Sequence, residues 1–439
     1  MKKLNWIIGL VMIMSSSCTP DEDVIPQPES NLVKAAIFDS MKEWYYWNDE
    51  LPATINTSDY TTNQDLLRAI IYKPLDRFSY LTTRNEFNNA FVGKNAGHGF
   101  GFGFDRNERL FLTSVFKDSP AGKDGWQRGW EITNINGKPI SAYKTSTGGY
   151  EFQLGPSEAG LSNTFTFLLP DGSSITRTNT KTDYQSNSVL HQEIITAGTK
   201  IIGYWVYNSF KATEGLNPTQ SKEVGTSMDY FQSESINELI IDLRYNGGGS
   251  VAVAEQINNY LIQSSNSGKV MYTNQLNSLK TDLEKTVNFK KIGNLELDRI
   301  IFITSRGTAS ASELVINSLK PYTEIVLVGD NTFGKPVGSF PLSGYNKTLK
   351  ENNVELVPIT FATANAVGNT EYFDGFPVDY VVGDTPQFNW GNSGDLRLRA
   401  ALNYLENGAI GARMEQSYYK PVWEMIDAFS GLRQEFPAY

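Results

Sequence analysis

Thiols and imidazoles are nearly absent from this chain. One cysteine, Cys18, and two histidines, His98 and His191, occur in 439 residues. An intramolecular disulfide is excluded, and so is a metal site of the cysteine–histidine type. Neither histidine sits in a credible serine–histidine–aspartate arrangement. An excess of basic charge is missing too. Lysine and arginine number 38 against 48 acidic residues, a formal charge of -10. With no basic patch, that balance argues against a nucleic-acid partner. The apolar run Trp6 to Met14 is nine residues long, too short for a membrane-spanning helix. What remains is globular in character, with 40% apolar and 12% aromatic residues, and long enough for several domains.

The chemistry concentrates between Arg299 and Ser339. Arg299-Ile300-Ile301-Phe302-Ile303-Thr304 reads as a fully buried strand. A polar break follows, and Ser310-Ala311-Ser312-Glu313 opens a helix that runs to about Lys320 and stops at Pro321. Thr323 to Val328 is a second buried strand, ending in the loop Gly329-Asp330-Asn331-Thr332-Phe333-Gly334-Lys335. A serine hydroxyl needs a base to become nucleophilic. Lysine can serve where burial favours its neutral form. Ser310 at a helix N-terminus would gain from the helix dipole, with the Ala311 amide aimed at a developing oxyanion. A second donor is expected from the turn Asp242-Leu243-Arg244-Tyr245-Asn246-Gly247-Gly248-Gly249, whose glycines let backbone approach a substrate carbonyl. Taken alone, the same turn is equally readable as a plain strand-to-helix connection.

These three blocks, in this order, resemble the S41 family of serine peptidases, the carboxyl-terminal processing and tail-specific proteases. The resemblance spans roughly residues 31 to 405. It implies Ser310 as nucleophile, Lys335 as base 25 residues on, and the amides of Ala311 and of Gly247 or Gly248 as oxyanion donors. In some members a glutamate three after the serine orients the lysine, matching Glu313. Others use a glutamine four after the lysine, where this chain has Ser339. The family fold is α/β and ClpP/crotonase-like, with an N-terminal helical segment and an inserted β-rich PDZ-like domain. No cofactor or metal is implied; the partner is a polypeptide substrate.

Two other motifs are set aside. Gly329 to Lys335 fits the phosphate-loop spacing, but Pro336 stands where a serine or threonine must hold magnesium. Ser141-Ala142-Tyr143-Lys144 fits a penicillin-recognising pattern without its companion motifs.

In chain order, residues 1–17 read as an export signal, with Lys2 and Lys3 ahead of the apolar run. Ser15-Ser16-Ser17-Cys18 resembles a bacterial lipoprotein signal. It implies lipidation at Cys18 and anchoring in the envelope of a Gram-negative bacterium; an ordinary secretory signal is the alternative. Residues 18–30 read as an acidic, proline-containing tether. Residues 31–92 read as a helical domain, with Ile37, Met41 and Trp44 on one stripe and Leu66, Leu67, Ile70 and Ile71 on another. Residues 93–190 read as β-rich. Their Ser119-Pro120 helix start and Asn136-Gly137 hairpin turn resemble a PDZ domain. The resemblance places a carboxylate-capturing loop at Gly99, Phe100, Gly101, Phe102, Gly103 and Phe104. Gly129-Trp130 departs from the usual Gly-Asp. Residues 191–385 alternate strands and helices, which predicts an open sheet with parallel pairs and chemistry at the strands' carboxyl ends. Residues 386–439 read as a helical tail.

The expectation is an exported, lipid-anchored serine endopeptidase with a Ser310/Lys335 dyad. Its rivals are a catalytically inactive peptide-binding lipoprotein on the same fold and a crotonase-like acyl-CoA enzyme.

Overall fold

The computed structural model describes residues 30–215, 218–408 and 432. The expected signal, Cys18 and the tether through residue 29 lie outside the described residues, as do the tail aromatics Tyr418, Tyr419, Trp423 and Phe429.

A mixed six-stranded sheet carries the molecule. Its order is Val189–Ala197, Lys200–Tyr207, Glu238–Asp242, Arg299–Thr304, Glu324–Gly329 and Tyr380–Val381. The first pair is antiparallel and every later pair parallel. The inner strands read as unbroken apolar runs because both faces are covered. Leu239, Ile241, Ile300 and Phe302 face the helices Lys222–Ser233, Val251–Leu261 and Ala311–Leu319. Their alternates Ile240, Ile301 and Ile303 face Leu398, Ala401 and Leu405 of the helix Leu396–Asn407. Each such side chain contributes about 1.5–3 kcal/mol by leaving water. The helix Leu396–Asn407 therefore closes one face of the sheet.

The N-terminal segment holds the helices Asn31–Trp44, Asn63–Ile70 and Arg84–Phe91. A strand absent from the sequence reading, Tyr80–Thr83, pairs antiparallel with Val354–Val357. Ile37, Met41, Trp44, Leu66 and Leu67 share one apolar cluster with Ala309, Phe333, Val337 and Ile359. The helical stripes seen in the sequence thus pack directly on the segments that flank Ser310 and Lys335. The aromatic residues Trp44, Tyr45, Tyr46 and Trp47 pack there as well, with Trp44 and Tyr45 buried.

The β-rich module is a separate sheet over residues 100–180 with its own aromatic core. Asn136 and Gly137 both have positive φ, 48° and 78°, as a type I′ turn requires. Ser119 caps Pro120–Lys123 by accepting from the Gly122 amide at 3.1 Å. The stretch expected as a loop is mostly strand. Only Gly99, at φ +84°, turns. Phe100–Phe104 is an edge strand paired with Leu110–Val115, and Phe100, Phe102 and Phe104 fill the core. Alternating glycine and phenylalanine suits that role, since the bulky residues share one face and the glycines the other. Phe152 meets Phe102 edge to face, and Tyr150 packs at a tilt against Phe104. Trp130, where the family pattern has aspartate, packs on Phe167. His98 is buried between Asn163 and Asn179, 2.8 Å from each.

Candidate active site

Two adjacent parallel strands bring the candidate residues together. Glu238–Asp242 runs into the glycine turn, and Arg299–Thr304 runs into the loop that ends at Ser310. Their carboxyl ends lie side by side, because parallel pairing keeps both strands pointing the same way. The turn and loop are laced together. Thr308 Oγ1 donates to the Leu243 carbonyl at 2.8 Å, Ser312 Oγ to the Asn246 carbonyl at 3.1 Å, and the Ala309 amide to that same carbonyl at 3.1 Å. Ser305 Oγ donates to the Arg244 carbonyl.

Ser310 caps the helix Ala311–Leu319 at φ 57°, ψ −114°. A residue with a side chain pays about 1–3 kcal/mol to sit in such a region. Here the bonds around it hold it. Its amide donates to Glu313 Oε2 at 3.0 Å and its carbonyl accepts from Leu314 at 2.8 Å. Ser310 is partly buried, whereas Lys335 and Glu313 are buried.

Gly248 shows why the turn needs glycine. At φ +111°, a Cβ there would lie 2.8 Å from Ser310 Cβ and 2.9 Å from the Ala309 carbonyl oxygen. The two candidate glycines differ in what their amides do. The Gly248 amide donates to Asn246 Oδ1 at 2.9 Å. Among the described residues, the Gly247 and Ala311 amides have no protein acceptor. Asn246 is itself fixed by Nδ2 donating to the Tyr207 carbonyl at 2.9 Å.

Glu313 is the hub. Oε2 accepts from the Ser310 amide at 3.0 Å and the Lys335 amide at 2.8 Å; Oε1 accepts from the Gly334 amide at 2.7 Å. The two residues of interest are thus within two hydrogen-bond lengths of each other at the main chain. Burial pushes the Glu313 carboxyl up, and its bonds with Thr332, Lys335, Gly334 and Ser310 pull it back. The sequence reading gave Glu313 the task of orienting the lysine side chain. Its bonds to the Gly334 and Lys335 amides fix the main chain that carries the lysine. The Lys335 ammonium lies 5.8 Å from the Phe78 ring centre.

Beneath the turn lies an ionic cluster that sequence reasoning missed. Arg244 bonds Asp242 at 2.6 Å and both Asp384 and Asp395 at 2.8 Å, with every side chain fully buried. Tyr245 donates to Asp384. Arg128, from the β-rich module, donates to the Tyr245 hydroxyl at 3.1 Å and lies 3.9 Å over the Trp390 ring. Burial opposes ionisation of Asp384, but Arg244, Arg397 and Arg128 hold its carboxyl well below the usual range. Asp242 and Arg244 stand in the motif; nothing in the sequence ties Asp384, Asp395 or Arg128 to them. Among the described residues no group of histidine, cysteine, aspartate and glutamate has the arrangement of a metal site.

The scaffold and site define a class: mixed α/β proteins in which parallel strands end at a serine-bearing helix start beside a glycine turn. Residues 33–80 match the N-terminal domain of peptidase S41 and residues 201–350 match peptidase family S41 itself. The chain belongs to peptidase family S41. A protein of Staphylococcus epidermidis described as a CtpA-like serine protease is 24% identical over 347 residues, covering 75% of this chain and 64% of that protein. The carboxy-terminal processing protease CtpB of Bacillus subtilis is 22% identical over 253 residues, covering 58% and 49%. The chain therefore spans about half to two thirds of the length of these relatives. A crystal structure of a Bacteroides fragilis protein assigned to the S41 proteases shares the fold, with a TM-score of 0.69 at 21% identity over 85% of this chain and 97% of that one.

Proposed function

We propose that this protein is a serine endopeptidase with Ser310 as nucleophile and Lys335 as general base. The observation that carries this reading is the buried Glu313 carboxylate, which gathers the amides of Ser310, Gly334 and Lys335 on one side chain. Ser310 Oγ attacks the scissile carbonyl carbon while Lys335 takes its proton. The oxyanion is received by the amides of Ala311 and Gly247, which have no protein acceptor among the described residues. On collapse the C–N bond breaks, the leaving amine takes the proton from Lys335, and an acyl-enzyme remains. Water, deprotonated by the same lysine, then releases the acid and restores Ser310.

The substrate class is polypeptide. The β-rich module acts as a PDZ-like domain that selects carboxyl-terminal tails by adding them to the Phe100–Phe104 edge strand, with Gly99 at its turn. The names of the relatives, carboxy-terminal processing and CtpA-like proteases, favour this assignment. Export, lipidation of Cys18 and residence in the cell envelope complete the proposal.

Purified protein lacking the first 18 residues is treated with a serine-directed phosphonate and analysed by intact mass. One adduct mapping to Ser310, absent in Ser310→Ala and lost in Lys335→Ala, is the expected result. An adduct on another serine, or full labelling in Lys335→Ala, refutes the dyad.

A further inference from the structure

Charged side chains grip five main-chain polar groups from Thr332 to the candidate base, while the Thr332 and Phe333 amides donate to the carbonyls of Phe376 and Thr308. Glu313 takes the amides of Gly334 and Lys335. The carbonyls go to two arginines. Arg306 Nη1 donates to Thr332 O at 2.7 Å and to Asp374 O at 3.2 Å. Arg77 Nη2 donates to Phe333 O and Gly334 O, both at 3.2 Å, and to Phe373 O at 2.7 Å. Each guanidinium thus ties the loop before Lys335 to the loop 373–374. The fit between those loops is tight: a Cβ on Gly334 would lie 2.2 Å from the Phe373 carbonyl oxygen.

Glu313 and Arg306 belong to the serine's own loop and helix. Arg77 arrives from the N-terminal segment, more than 250 residues away in sequence. Its neighbours are set before it reaches the site. Asp76 Oδ1 accepts from the amides of Phe78 and Ser79 at 2.9 Å, and its Oδ2 accepts from Tyr45 at 2.7 Å and from Ser79 Oγ at 2.6 Å. Ser79 Oγ in turn accepts from the Ile359 amide at 3.0 Å. The next residue, Phe78, places its ring between two cations, 4.8 Å from the Arg77 guanidinium and 5.8 Å from the Lys335 ammonium.

We propose that Arg77 is a positioning residue for Lys335, a clamp on the loop main chain that the N-terminal segment supplies. The inference rests on the reading of Lys335 as general base. All three bonds come from one nitrogen, Nη2, whose N–H groups the rigid guanidinium plane aims in fixed directions; a lysine ammonium turns freely on a flexible stem and keeps no such direction. Arg77 is solvent-exposed, so its loss removes the clamp without opening the core. Displacing a catalytic group by about 1 Å costs on the order of a hundredfold in rate, and partial loosening of an exposed clamp costs about tenfold on the same scale.

The test compares wild type, Arg77→Ala, Arg77→Lys and Ser310→Ala. It measures the rate of phosphonate labelling, kcat and KM on fluorescein-labelled casein, and the thermal unfolding midpoint. Arg77→Ala is expected to label and turn over about tenfold more slowly, with KM and the unfolding midpoint little changed. Sub-denaturing guanidinium chloride restores part of its rate by refilling the vacated site, and Arg77→Lys is as slow as Arg77→Ala. Wild-type rates in either variant overturn the clamp. So does a loss of rate that follows the unfolding midpoint and does not respond to guanidinium. If Arg77→Ala fails to fold, Arg77→Lys decides by the same criterion. A wild type that neither labels nor hydrolyses casein refutes the dyad itself, a result distinct from failure of the clamp.

Discussion

Replacing Glu313 by glutamine tests the hub of the site with the smallest change in shape. The carboxylate accepts three main-chain amides on two oxygens: Ser310 and Lys335 on Oε2, Gly334 on Oε1. Glutamine keeps one acceptor oxygen. If it stays over Ser310 and Lys335, the new amide group faces the Gly334 N–H, donor against donor. A buried donor left without a partner costs about 1–3 kcal/mol. The two surviving bonds lose their charge assistance, a further ~1 kcal/mol each. Removing the burial penalty on the charge, which raises the Glu313 pKa, offsets part of this. The net expectation is destabilisation by about 2–4 kcal/mol, visible as a lower urea midpoint with an unchanged m-value. The strained Ser310 and the Lys335 loop then share no anchor, and phosphonate labelling falls by about a hundredfold. Full labelling together with a stability change under about 0.5 kcal/mol, the range of ordinary surface substitutions, would refute the reasoning.

Lys211 provides a pH test away from the chemistry. It is fully buried, with Nζ donating to Ser186 Oγ at 2.7 Å, and burial lowers its pKa to about 7, against a smaller upward pull from Glu223. Between that value and ~10.4 the unfolded chain binds the proton that the folded protein rejects, so stability rises with pH, by at most ~1.4 kcal/mol per unit. Urea unfolding at pH 7, 8 and 9 should show this rise in wild type and lose it in Lys211→Met; equal slopes in the two proteins would contradict it. Gly248→Ala places a Cβ 2.8 Å from Ser310 Cβ at a φ of +111°. It should cost about 1–3 kcal/mol and abolish phosphonate labelling, and an intact labelling rate would show that the turn does not bear on the serine.

The local pieces of the site were legible because their signals are local. An apolar run, a serine at a helix start with glutamate three residues on, and a Gly-Lys loop all lie within 40 residues of one another. So were the type I′ turn at Asn136-Gly137 and the cap at Ser119, where a short-range backbone requirement selects the residue. The PDZ resemblance placed Phe100–Phe104 in a carboxylate-capturing loop; the stretch is a strand, since the phenylalanines' common face is the stronger local constraint. Tyr80–Thr83 was missed because its partner lies more than 270 residues away.

The sequence alone determined the chemical inventory. A single cysteine and two histidines rule out an intramolecular disulfide and a cysteine–histidine metal site, and the strand–serine–helix order marks Ser310 as the candidate nucleophile. Only tertiary structure decided how those groups are held. The Glu313 carboxylate meets the Lys335 loop, the Gly248 amide is taken by Asn246 while that of Gly247 is not, Arg77 clamps carbonyls more than 250 residues away, and Arg128 joins Asp384 and Tyr245. The physical reason is that periodicity records which face of an element is buried, not which distant element covers it. That choice follows from the packing of whole surfaces and from the need of every buried charge and amide for a partner.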